Sequence, residues 1–160
     1  MHGGLRQVDI PAPHFTDRVA EAQSILGSPD HGLGLASADR ELLTSTLRDV
    51  TRAILDRGAP EQLLHGEPHP GNLLSTEHGP LFIDFETCCR GPIEFDIAHA
   101  PVEVRKHCPG ANRELVRECG TLAMALVAAW RSHSHDTFPN GNDQRDRLLT
   151  ALRRTRYGGR

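Results

Sequence analysis

Three oxygen-bearing side chains follow one another through a short stretch of predicted strands and turns. Glu67 and Asn72 are five positions apart, and Asp84 comes after a predicted hairpin. Because a hairpin brings the residues that flank its strands to one edge of a small sheet, we expect these three side chains to lie close together. Carboxylate and amide oxygens are the ligands that Mg²⁺ prefers, and a carboxylate can accept the proton of an attacking hydroxyl. The pattern therefore predicts the chemistry of phosphoryl transfer.

The elements that must position these side chains are short and apolar. The pairs Leu63-Leu64 and Leu73-Leu74 and the run Leu81-Phe82-Ile83 predict three strands of one small sheet, with the second and third strands joined as a hairpin through the turn at 77–80. Apolar periodicity and caps predict helices near 17–26, 37–57, 94–99, 112–132 and 142–156. The predicted fold class is α+β and mostly helical.

Length and composition predict one soluble domain. The chain has 160 residues, of which 38% are hydrophobic and 24% are charged. No run approaches the roughly 20 apolar residues of a membrane helix, and no secretory leader is visible, so we expect a cytoplasmic protein. The net charge of -3 argues against general nucleic-acid binding. Residues 1–34, rich in Gly, Pro and His, predict a poorly defined segment ahead of a folded domain over 35–160.

Zinc chemistry is the alternative from another class of enzyme. His65-Gly66-Glu67 matches the H-x-E element of zinc deaminases. The P-C-x-x-C element that completes such a site is absent, because Cys88 and Cys89 are adjacent and follow a threonine. A plainer interpretation makes Glu67 and Asp84 turn acids at a solvated sheet edge. The presence of further polar residues in register favours the phosphoryl-transfer interpretation over both.

Three motifs in order carry a resemblance to a known family. They are His65-Gly66-Glu67-Pro68-His69-Pro70-Gly71-Asn72, then Ile83-Asp84-Phe85-Glu86, then Phe95-Asp96-Ile97-Ala98. Together they resemble the catalytic half of aminoglycoside phosphotransferases and choline kinase-like enzymes, strongly over 63–100. The resemblance implies a protein-kinase-like C-terminal lobe, with the catalytic loop carried on a small β-hairpin sheet. It also implies ATP or GTP and Mg²⁺ as cofactors and a small polar molecule with a hydroxyl group as the acceptor.

The same resemblance implies a role for each matching residue. Glu67 stands where the family usually has an aspartate as catalytic base. Asn72 and Asp84 stand at the magnesium ligands, and His65 and Asp96 at residues that brace the loop. Glutamate keeps the charge but adds a methylene, so its carboxylate reaches about an ångström further, a displacement that can cost roughly 100-fold in rate.

The nucleotide-binding half of such an enzyme is not visible in this sequence. Kinase-like enzymes place a glycine-rich loop and a strand lysine ahead of the catalytic loop. Here the only lysine is Lys106, and the segment His31-Gly32-Leu33-Gly34 is too short to be that loop. We therefore expect either the C-terminal lobe of a phosphotransferase, weakly active or inactive alone and prone to self-association, or a non-catalytic binding module derived from one.

Overall fold

The computed structural model describes residues 1–28 and 35–157, with only the backbone described at positions 156 and 157. The segment at 31–34, which the sequence showed to be too short for a glycine-rich loop, lies outside the described residues.

The described part of the chain is mostly helical, as predicted. Its helices are α1 (His2–Leu5), α2 (Phe15–Gly27), α3 (Ser37–Asp56), α4 (Ile93–His99), α5 (Val102–Arg105), α6 (Arg113–Trp130) and α7 (Gly141–Tyr157). The strands are β1 (Glu61–Leu64), β2 (Leu73–Thr76), β3 (Gly79–Phe82) and β4 (Cys89–Pro92). Single 3-10 turns occupy Pro70–Asn72 and Phe85–Thr87. The five predicted helices are all present, with ends that shift by a few residues.

The strands form two separate sheets where the sequence predicted one. β2 and β3 pair as the predicted antiparallel hairpin, with Leu74 opposite Leu81. β1 instead pairs antiparallel with β4, placing Leu64 opposite Cys89. The prediction of a three-stranded sheet was therefore wrong. β4 was missed because its four residues include Gly91 and Pro92, both of which are depleted in strands. The loop at 65–72 connects the two sheets.

The chain divides into two compact units. The first consists of Met1–Phe15 and Arg57–Gly120, and the second of Thr16–Asp56 and the chain from Thr121 onward. The first unit contains both sheets, α1, α4 and α5. The division of the chain near residue 34 stays a prediction.

The first unit is built around β1, β4 and α4. Phe15 and Phe95 are both completely buried, with ring centroids 5.7 Å apart. The backbone N–H of Arg90 on β4 donates to Pro13 O at 2.7 Å, which ties the N-terminal segment to the sheet. The remaining buried apolar side chains of this unit are Leu63, Leu64, Cys89, Ile97, Ala98, Leu115, Val116 and Cys119. Burial of this set supplies the main stabilisation of the elements behind the loop.

The second unit is a helical core. Its buried apolar residues recur at three- and four-residue spacing on each helix, as expected of amphipathic helices. They include Val19, Ala22 and Leu26 on α2, Leu43, Leu47 and Ile54 on α3, Leu122 and Leu126 on α6, and Leu149 and Leu152 on α7. The Arg18 guanidinium lies 4.8 Å from the centroid of the Trp130 ring. Across the described residues, no helix has both the length and the apolarity needed to cross a membrane.

Candidate active site

A buried carboxylate holds the first residues of the loop. Asp96 lies on α4, and its side chain is completely inaccessible. Its Oδ2 accepts the backbone N–H of His65 at 3.0 Å, and its Oδ1 accepts that of Gly66 at 2.9 Å. Hydrogen bonds to an ionised acceptor are stronger than neutral ones, particularly when buried. Asp96 therefore fixes the point at which the chain leaves β1.

His65 connects this anchor to both ends of the candidate site. Its Nε2 lies 2.9 Å from the carbonyl oxygen of Ile83, and its Nδ1 lies 3.4 Å from the backbone N–H of Glu67. Because a carbonyl only accepts, Nε2 carries the proton, and Nδ1 is left to accept from Glu67. The hydrogen-bond partners thus assign His65 as the neutral Nε2–H tautomer. One ring orients both the chain at Glu67 and the residue that precedes Asp84.

Asn72 closes the loop onto Glu67. The Asn72 side-chain amide donates to the carbonyl oxygen of Glu67 at 3.0 Å, and the His69 N–H donates to the same oxygen at 2.8 Å. Asn72 is 8% exposed, and the Glu67 side chain is partly exposed. Because the NH₂ group faces Glu67, the amide oxygen of Asn72 is the atom of that side chain that remains to bind a cation.

Asp84 follows β3 in an unusual backbone conformation. Its φ is 64° and its ψ is 65°, in the left-handed region, which aspartate tolerates better than most residues. The preceding residue, Ile83, donates its N–H to Asn72 O at 3.0 Å. Asp84 is exposed, and within the described part of the chain its carboxylate has no hydrogen-bond or ion-pair partner. The carboxylate is therefore available to a ligand from solvent.

Gly66 is required by the close approach of the loop to the turn after Asp84. Its φ is +92°, and a Cβ built on it would lie 2.0 Å from Thr87 O. Thr87 also donates its hydroxyl to His65 O at 3.2 Å. The loop and this turn therefore contact each other through backbone atoms, which leaves no room for a side chain.

The structure joins His65, Glu67, Asn72 and Asp96 in one hydrogen-bonded network and connects Asp84 to it through Ile83. Two members of the network were not predicted. One is Thr87, which gives no signal in the sequence beyond its position between the motifs. The other is His2, whose Nε2 lies 3.1 Å from Asp96 Oδ2. The 94 positions that separate His2 from Asp96 hide this contact from any local pattern.

Two thiols of the first unit have pKa values above their ordinary range. Burial raises the pKa of Cys88, and the nearby charge of Asp96 adds to the effect. Burial also raises the pKa of Cys119 on α6 to about 12.

Among the described residues, no group of three or more His, Cys, Asp or Glu side chains is arranged to hold a metal ion.

Comparison with solved structures shows the fold. The choline kinase LicA from Streptococcus pneumoniae aligns with a TM-score of 0.71 at 12% identity, covering 92% of this chain and 58% of that protein. An ethanolamine kinase from Plasmodium vivax aligns with a TM-score of 0.72 at 16% identity, covering 92% and 56%. A choline/ethanolamine kinase family protein from Mesorhizobium loti gives 0.71 at 13% identity, covering 93% and 57%. The chain thus spans between half and three fifths of these proteins' length.

Comparison of the sequence itself shows the family. No curated protein matches the chain. A family match nevertheless covers residues 1–132, which includes all three motifs and the network built on them. The resemblance predicted from those motifs is thereby confirmed at the level of the family, and the chain belongs to the phosphotransferase enzyme family.

Proposed function

We propose that this chain carries the phosphate-transfer part of an ATP- or GTP-dependent enzyme that phosphorylates a hydroxyl of a small polar molecule. In this proposal Glu67 orients the hydroxyl and accepts its proton, and Asn72 and Asp84 bind Mg²⁺. His65 and Asp96 hold the loop in place. The observation that carries the proposal is the Asp96–His65 network, because it fixes Glu67, Asn72 and the residue before Asp84 together.

The residues present fit a magnesium ion that is shared with a nucleotide. Asn72 has an amide oxygen that its own hydrogen bond leaves available, and Asp84 has an exposed carboxylate. Mg²⁺ is commonly held by one or two such side chains together with substrate phosphates. When bound, the ion supplies positive charge that neutralises the phosphoryl group during transfer. The protein's own contribution is to fix the acceptor hydroxyl beside Glu67.

The length of the aligned region supports a second part of the proposal. The chain aligns with 56–58% of each neighbour described above, and one neighbour was solved in complex with AMP. We propose that a separate nucleotide-binding lobe is needed for turnover, and that this chain alone has little activity. Phosphoryl transfer depends on in-line positioning of donor and acceptor, which requires the nucleotide to be held in place.

The test is a coupled kinase assay over amino alcohols and aminoglycosides. The amino alcohols enter the panel because two neighbours are a choline kinase and an ethanolamine kinase. The chain is assayed alone and together with a nucleotide-binding lobe from a family member. We expect turnover only in the second case. Rapid turnover by the chain alone would contradict the need for a second lobe.

Substitution at the proposed metal site tests the assignment of residues. Asp84→Asn keeps the tolerance for left-handed backbone but removes the charge. We expect it to lower kcat by roughly a hundredfold, the scale of losing one charge-stabilising group in an active site. Cys88→Ser is the control from the same region and should be nearly silent. Equal losses in the two variants would show that Asp84 is not a metal ligand.

Glu67 stands where the resemblance implies an aspartate, and this difference favours one alternative, a binding module that has lost catalysis. The catalytic function and the binding-module alternative predict different results for a substitution at Glu67. If Glu67 is the base, Glu67→Gln should abolish turnover in the assembled enzyme, because an amide cannot accept the proton. If the chain is a binding module, no acceptor on the panel should be phosphorylated, and Glu67→Gln should leave nucleotide binding unchanged.

A further inference from the structure

The N-terminal helix α1 touches the carboxylate that holds the loop. His2 Nε2 lies 3.1 Å from Asp96 Oδ2, the same oxygen that accepts the N–H of His65. The oxygen is an acceptor, so His2 is the donor in this contact. The His2 side chain is 28% exposed and that of Asp96 is completely buried. His2 therefore lies between solvent and the buried carboxylate.

The environment of Asp96 explains why this donor matters. A carboxylate removed from water is costly unless its oxygens are fully hydrogen-bonded or paired with a charge. Two backbone N–H groups from the loop satisfy part of that need, and His2 supplies a third donor from an element outside the loop. The third donor limits the rotation of the carboxylate, so it also limits the positions available to His65 and Gly66.

α1 is itself attached to the sheet that starts the loop. The Gln62 side-chain amide on β1 donates to His2 O at 3.2 Å. Gln62 is 8% exposed, so its polar group needs a partner inside the protein. The backbone of His2 is thus held by β1 while its ring contacts α4. This arrangement connects α1, β1 and α4 at the start of the loop, where the chain leaves β1.

We propose that His2 is a positioning residue, which fixes the orientation of the Asp96 carboxylate and through it the loop that carries Glu67 and Asn72. The proposal deepens the function proposed above and rests on it for its catalytic meaning. The effect of His2 on the Asp96 carboxylate and on the loop can be measured in the absence of activity. The His65 and Gly66 amides donate to Asp96, and their protection from exchange should depend on the hydrogen bond that residue 2 donates to the same carboxylate.

The experiment is amide hydrogen exchange by NMR on the complete chain. His2→Leu introduces an apolar side chain of comparable size and removes the donor, whereas His2→Gln keeps a donor. We expect exchange of the Gly66 amide to rise about tenfold or more in His2→Leu, the scale of losing one hydrogen bond to a charged group. His2→Gln should restore most of the protection. His78→Leu is the matched control, since the His78 side chain is 89% exposed on the hairpin turn.

The reference amides are those of the β1–β4 ladder, where Leu64 lies opposite Cys89. A rise confined to His65 and Gly66, reversed by glutamine, supports the proposal. An equal rise in the ladder amides, or equal behaviour of the leucine and glutamine variants, would overturn it. If His2→Leu does not fold, His2→Ala replaces it, and unfolding of both would likewise overturn the proposal by assigning His2 a general structural role. None of these results depends on phosphotransferase activity, so the proposed function can fail independently.

Discussion

The two sides of the candidate active site are built in different ways. The loop at 65–72 starts from a completely buried His65 and is held by a completely buried Asp96 carboxylate. The hairpin and the turn that carries Asp84 are mostly exposed: of their large apolar side chains only Phe82 is half-buried, and the other five are between 38% and 53% accessible. Those five side chains are Leu73, Leu74, Leu81, Ile83 and Phe85.

This difference indicates which part of the site is preorganised by the first compact unit itself. Glu67 and Asn72 are positioned by hydrogen bonds that end in the interior. Asp84 is positioned by a short two-stranded sheet, which is at best marginally stable by itself, and by the two hydrogen bonds of Ile83, one to Asn72 O and one from the His65 ring. We therefore expect substitutions on the loop side to cost far more stability than equivalent substitutions on the hairpin side.

The largest effect is expected at Gly66. Gly66→Ala combines a positive φ with a Cβ placed 2.0 Å from Thr87 O, so the two backbones must separate. We expect a loss of about 3–5 kcal/mol in the free energy of unfolding, measured by urea denaturation. Gly58→Ala is the matched control, because Gly58 also has a positive φ but open space around it. It should lose only about 1 kcal/mol. Equal losses would mean that the loop can move away from Thr87.

The next comparison uses two leucines of adjacent sheets. Leu64 on β1 is completely buried, and Leu81 on β3 is 53% exposed. We expect Leu64→Ala to cost about 2–5 kcal/mol and Leu81→Ala less than about 1 kcal/mol in the same denaturation experiment. A large loss at Leu81 would show that the hairpin contributes to the stability of the unit, which would contradict the expected difference between the loop side and the hairpin side of the site.

The smallest effect concerns Cys119, which lies in the interior near Glu94 of α4. Burial raises its pKa from 9.0 to about 12. Above pH 9 the unfolded chain therefore loses this proton while the folded chain keeps it, so stability falls as the pH rises. The contribution of this thiol is at most about 1.4 kcal/mol per pH unit between those values. Cys119→Ala should show a correspondingly shallower decline between pH 9 and 10.5. Parallel declines in the two proteins would mean that the interior behind the loop is accessible to water.

The sequence predicted the parts of this molecule that depend on local pattern. Apolar periodicity located the helices, and the turn at 77–80 located the hairpin, because both depend on neighbours along the chain. The residues of the three motifs were identified from their types and spacing. The assignment of Glu67, Asn72 and Asp84 to chemical roles stays a prediction.

The features that the sequence could not predict depend on contacts between distant segments. The pairing of β1 with β4 joins Glu61 to Pro92 across the whole hairpin, and His2 meets Asp96 across 94 positions. The register of a short strand is set by its partner, which local propensity does not identify. The neutral tautomer of His65 likewise follows only from its two hydrogen-bond partners, Ile83 O and the Glu67 N–H.

The most direct test of the central claim, that Asn72 and Asp84 bind the metal ion of a metal–nucleotide complex beside Glu67, is paramagnetic NMR with Mn²⁺·ATP in place of Mg²⁺·ATP. Mn²⁺ accepts the same oxygen ligands and broadens the signals of nearby nuclei, so weak binding to the chain alone suffices. We expect the strongest broadening at the backbone amides of Asn72 and Asp84 and at Glu67, and we expect Asp84→Asn to remove it. Broadening centred elsewhere, or broadening that persists unchanged in Asp84→Asn, would contradict the assignment of this network as the metal–nucleotide site.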